Sequence, residues 1–191
     1  MGPFDLDHVP PPCWPDTLRP VGEATHAKEP FDGWWARNAQ ALGHLPRDLC
    51  EQWIYRHWTH SPFSFLPLDS LGWERRLWRG DDLLASIHRA WGGELHPRFD
   101  YDTFQRRGGA DRHATAVALD GGTWDYPMLL LSTPVGVIDG GARLPDVRLV
   151  IVEGHQRHRY LNALHVLGRA PAGPHETIIL STPLTGGGQV R

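Results

Sequence analysis

Between Val147 and Tyr160 the chain runs an apolar stretch, Leu149-Val150-Ile151-Val152, into Glu153-Gly154 and then into His155-Gln156-Arg157-His158-Arg159-Tyr160. A short continuous apolar run bounded by a turn residue marks a buried strand. The stretch therefore predicts a strand over 147–152, a glycine turn and a helix over about 155–167. Such a junction suits an anion. Glycine lets the backbone approach a ligand, the first helical N–H groups lack intrahelical partners, and the macrodipole adds positive potential. Arg157 and Arg159 add charge and paired donors. The same residues would also serve an ordinary strand-to-helix turn with surface arginines.

The 191 residues are 40% hydrophobic with a net charge of −3, which bounds the reading to one globular domain with an N-terminal extension. There is no overall basic field of the kind that non-specific nucleic-acid binding needs. Cys13 and Cys50 are the only cysteines, and no signal-peptide layout or membrane-length apolar run is present. Free thiols in a cytoplasmic protein are expected. Of nine tryptophans, Trp34, Trp35, Trp53, Trp58, Trp73, Trp78 and Trp91 fall between residues 34 and 91. Their spacing fits helix faces, so packing is expected, with base stacking the alternative.

Residues 1–30 hold Pro10-Pro11-Pro12, Pro15, Pro20 and Pro30 and predict an extended arm that wraps the domain or is disordered. Residues 31–60 predict a helical hairpin: Asp32 caps a helix to about Leu45, and Pro46 starts another to about Trp58, with Leu49, Trp53 and His57 on one face. The main domain is expected over 61–191. Within it the sequence predicts a strand in Phe63–Asp69, a helix over Asp81–Trp91, a long mobile insertion over 94–126, and strands at Met128–Ser132 and Glu176–Leu180.

Two blocks carry a family resemblance. Leu66-Pro67-Leu68-Asp69-Ser70-Leu71 followed by Asp82-Leu83-Leu84-Ala85-Ser86-Ile87 is the first, and Tyr126-Pro127-Met128-Leu129-Leu130-Leu131 followed by Leu149 to Arg159 is the second. In order and polarity they resemble the ParB/sulfiredoxin superfamily over about residues 63–182. The resemblance implies an α+β fold, a small mixed sheet with flanking helices. It also implies a glycine-led box holding nucleotide phosphates. Gly154, Arg157 and Arg159 keep the places of Gly-Glu-Arg-Arg-x-Arg. His155 stands for its glutamate, and Gln156, a donor without charge, stands for its first arginine. His155 also replaces the cysteine of sulfiredoxins, which excludes their repair chemistry at this position. The ~10 residues beyond the last predicted strand are too few for the DNA-reading module of partition proteins.

The resemblance implies a nucleotide-binding domain that hydrolyses or transfers a phosphoryl group. Gly154, Gln156, Arg157 and Arg159 would hold phosphate. Glu153 would bind Mg²⁺ or act as base, with His155 the alternative base. The spacing Glu153-x-His155-x-x-His158 lacks a fourth ligand for a transition metal. Further nucleotide contacts are expected from Arg75 or Arg76, from Ser86 and from Arg106 and Arg107, and Asp100 and Asp102 are candidate metal carboxylates. Two other readings stay open: a ParB-like nuclease, and a regulatory module whose arm and Trp-rich hairpin bind a protein partner or a second copy.

Overall fold

The computed structural model describes residues 2–23, 25–106 and 112–185. Its class is α+β, built on two mixed sheets. The larger sheet runs β2 (Gly72–Trp78), β8 (His175–Ser181), β4 (Met128–Ser132), β7 (Leu149–Glu153), β3 (Ile87–His88). The smaller joins β1 (Phe4–Asp5), β5 (Val137–Asp139) and β6 (Ala142–Leu144). In the larger sheet β8 pairs parallel with β4, and β7 pairs antiparallel with β4 and parallel with β3.

The three central strands are apolar on both faces because both faces are covered. Met128, Leu130, Ile151 and Ile179 point to a layer made by α3 (Gly80–Ser86), α4 (Pro97–Arg106), α5 (Ala114–Asp120) and α6 (His155–Val166). Leu129, Leu131, Val150, Val152, Ile178 and Leu180 pack against the N-terminal third of the chain. That third contains α1 (Phe31–Leu42) and α2 (Arg47–Leu49), the latter running on as a π-helical turn over Cys50–Tyr55.

The proline-rich arm wraps rather than dangles. Phe4 and Asp5 pair in parallel with Val137 and Ile138, the Trp14 indole donates to the Leu66 carbonyl at 3.1 Å, and Leu6, Trp14 and Leu18 are buried. Trp34 and Trp53 are fully buried, and Trp14 stacks edge-on against Trp53. Packing is therefore what most of the tryptophans do. Burial pushes the Cys50 thiol up to about 12, so it is chemically quiet. No helix among the described residues is long and apolar enough to cross a membrane.

Several sequence expectations are corrected. Phe63–Asp69 is not a strand: it is turns leading into a 3₁₀ turn at Leu68–Ser70, and the strand is β2, which no sequence expectation covered. The helix expected to reach Trp91 stops at Ser86, and the chain turns extended to pair Ile87 with Leu149. Asp32 lies in the first turn of α1 and Pro30 takes the cap position. The 94–126 segment forms α4 and α5 and buries Asp100, Phe104, Leu119 and Trp124, so its described parts are folded layer rather than a mobile loop. Its centre, including Arg107 and the Arg106 side chain, lies outside the described residues.

Candidate functional site at the end of strand β7

Glycine is required where β7 meets α6. Gly154 sits at φ +108°, and a Cβ there would lie 2.7 Å from the Met128 side chain. The missing Cβ lets the Met128 side chain pack against the start of α6, and the Gly154 backbone N–H favours the charged form of Glu153.

Glu153 and Arg157 then gather residues from distant segments. The Glu153 carboxylate lies 3.5 Å from Nε2 of His57 and 3.9 Å from Nη1 of Arg157. Nε of Arg157, a side chain only 5% exposed, donates to Asp125 at 3.1 Å. The guanidinium groups of Arg157 and Arg56 each lie 5.8 Å from the centre of the Tyr126 ring, within cation–π range. Asp125 and Tyr126 immediately precede β4, and Arg56 and His57 follow the π-helical turn, so three segments of the chain meet here.

Electrostatically the junction holds groups pushed toward neutrality. Burial raises the Glu153 carboxyl above its usual range, with Arg157 opposing. Burial lowers His57, helped by Arg56, and lowers His155 against the pull of Glu153. Burial together with the charges of Arg89 and His155 pushes His158 down to about 4. Nδ1 of His158 and Nε of Arg89 are buried with no hydrogen-bond partner among the described residues. Unpaired buried polar atoms in a native site call for a partner such as water or a ligand.

This burial predicts a pH dependence. A histidine whose folded pKa lies below its unfolded value binds its proton more readily when unfolded, so stability is intact above pH 6.5 and is lost as pH falls. For His158 the window runs from about 6.5 to about 4 and is worth about 3 kcal/mol. Glu153 acts oppositely, because its raised pKa favours the folded state as the acid protonates, but His57 and His155 add to His158. Thermal melts are expected to show a midpoint falling from pH 7 to pH 4, with a shallower fall in His158→Gln. Equal slopes in the two proteins would remove His158 as the cause.

The structure brings Glu153, Gly154, His155 and Arg157 together and disperses the other expected residues. Gln156 is exposed on the outer face of α6. Arg159 is spent on Asp100, which is 1% exposed and whose other carboxylate oxygen accepts from the His96 N–H at 3.3 Å. This pair latches α6 to α4 and accounts for Asp100 without a metal. Asp102 is exposed on α4, and the Ser86 hydroxyl turns back to the Asp82 carbonyl at 2.6 Å. Arg75 lies on the far edge strand, three ladders from Glu153 along the row Arg75, Ile178, Leu129, Glu153, and is held by Asp48 and Glu176. Arg76 and Ser86 line a 490 Å³ groove with Trp78 and Arg148 on the helical face.

The sequence reading missed His57, Arg56, Asp125, Tyr126 and Arg89. Only His57 left a signal: it occupies an apolar-periodic position after Leu49 and Trp53, where a titratable residue is out of place. Among the described residues no group of three or more His, Cys, Asp or Glu side chains is arranged to hold a metal ion. Comparison with family models, with curated proteins and with solved structures finds no match for this chain.

Proposed function

We propose that the β7–α6 junction binds the phosphate of a nucleotide, and that the protein hydrolyses or transfers a phosphoryl group there, as ParB/sulfiredoxin-like nucleotide-binding domains in the cytoplasm do. One observation carries the reading. Around a single left-handed glycine the fold collects the charges of Arg56, Arg89 and Arg157 together with four titratable groups, Glu153, His57, His155 and His158, all shifted toward their neutral forms. Clusters of perturbed groups of this kind are characteristic of functional sites.

The chemistry follows from those groups. Phosphoryl transfer needs charge neutralisation and positioning more than covalent work, and the guanidinium groups with the α6 N–H groups supply both. A neutral His57 or His155 accepts the nucleophile's proton, and Glu153 beside them takes or returns it. Mg²⁺ would find one carboxylate, Glu153, already facing Arg157 and His57. One carboxylate already facing two basic side chains is a poor donor set for the ion, and the side chains themselves neutralise the phosphate and carry the proton.

A thermal-shift panel of ATP, ADP, CTP and GTP, with and without Mg²⁺, tests the reading. A nucleotide at 100 times its Kd stabilises by ~2.7 kcal/mol, which raises the midpoint of a domain this size by roughly 5–10 °C. Glu153→Gln is expected to keep that shift and lose phosphate release. If no nucleotide moves the melt, the proposal fails.

A further inference from the structure

Strand β2 forms one edge of the larger sheet, and residues 73–77 are all exposed along it. The Arg76 carbonyl faces inward, accepting from the Thr177 hydroxyl at 3.3 Å. Backbone alternation therefore turns the N–H and C=O groups of Trp73, Arg75 and Leu77 outward. An edge of this length with free donors and acceptors is a template for another strand.

The sequence of the edge selects its occupant. In an antiparallel pairing of two copies about a two-fold axis at Arg75, Glu74 falls opposite Arg76 and Trp73 falls opposite Leu77. Neither Glu74 nor Arg76 has an ion-pair partner among the described residues. Trp73 and Leu77, 42% and 65% exposed, are among the large apolar side chains left on the surface. The like charges that meet on the axis are already neutralised. Each Arg75 contacts both carboxylate oxygens of its own Asp48, at 2.8 and 2.9 Å, and Glu176 at 2.9 Å. Beside Trp73 opens a 720 Å³ groove with Phe31 and Pro46 among charged residues that include Asp48 and Arg75, on the side where Leu77 of a second copy would fall.

We infer that the chain forms a symmetric homodimer through β2, joining the two larger sheets into one continuous sheet. The Glu74–Arg76 pairs occur twice across the axis, on the helical face. The Trp73–Leu77 contacts occur twice on the other face. The surface centres on β2, with the helical hairpin contributing the groove beside Trp73, and it lies on the opposite edge of the sheet from β3, so dimerisation does not require the phosphate site.

Charge exchange tests this by sedimentation velocity across about 10–200 µM protein. The wild type is expected to sediment as a dimer. Glu74→Arg and Arg76→Glu, each placing like charges opposite one another twice, are expected to weaken association roughly tenfold or more. Mixing the two variants in equal amounts is expected to restore dimers, because every 74–76 contact is then a pair of opposite charges. Both side chains are exposed, and far-UV circular dichroism checks that the variants keep the fold. A monomeric wild type overturns the inference, as does a dimer indifferent to either reversal or an equimolar mixture that stays monomeric.

Discussion

Trp53→Ala is expected to remove about 3–5 kcal/mol of stability, the cost of deleting a large aromatic from a packed core. Trp53 is 1% exposed, its indole donates to the Ser61 hydroxyl at 2.8 Å, and its ring meets Trp14 edge-on at 5.2 Å. The substitution therefore opens a cavity at the seam between the arm, the helices and the sheet. Surrounding side chains are themselves fixed rings, Trp58 among them against Trp14, so the seam collapses poorly. Thermal denaturation should report a midpoint lower by roughly 6–20 °C. A loss below about 1 kcal/mol would show that the N-terminal layer adds little to the common core.

Arg157→Ala is expected to cost about 3 kcal/mol and to abolish any nucleotide-induced rise in melting temperature. The stability term comes from stranding two acids: Asp125 loses its donor and Glu153 loses its nearest guanidinium. Removing one member of a buried pair typically costs about 3–5 kcal/mol. The lower end applies because Asp125 remains 29% exposed and can take up water. The two effects separate in one experiment, since the variant's own melting temperature reports the fold and its response to nucleotide reports the site. An undiminished response in folded Arg157→Ala would place the anion elsewhere, with the groove beside Arg76 and Arg148 the next surface to probe.

How much could be read from the sequence depended on burial. β4, β7 and β8 are covered on both faces, so each carries a continuous apolar run of three or four residues, and their expected limits fall within one or two residues of the observed ones. β2 has sheet on one side and solvent on the other, and its exposed Glu74-Arg75-Arg76 carries the signature of a turn. α4 escaped for a related reason. Its buried positions include Asp100 beside Phe104, so an ion pair to Arg159 does work that apolar periodicity would have announced. The candidate site divides the same way. Glu153, Gly154, His155 and Arg157 were legible because they are contiguous. Arg56, His57, Asp125 and Tyr126 reach the site only through the packing of the π-helical turn and the approach to β4, which no local pattern encodes.

The parallel pairing of Phe4 and Asp5 with Val137 and Ile138 bears on how the chain comes to life on a ribosome. Strand β1 has no partner until more than a hundred further residues have been added, and at ~5–20 residues per second that is a wait of several seconds or longer. During that interval Phe4 and Leu6 lack the strand they finally pair with, whereas Trp14 can already meet Trp53 and Leu66. The prolines that follow are poor substrates for helix and for ladder alike, so they keep this segment from committing to a wrong neighbour while it waits. The N-terminal end of the arm thus closes late, onto the β5–β6 hairpin.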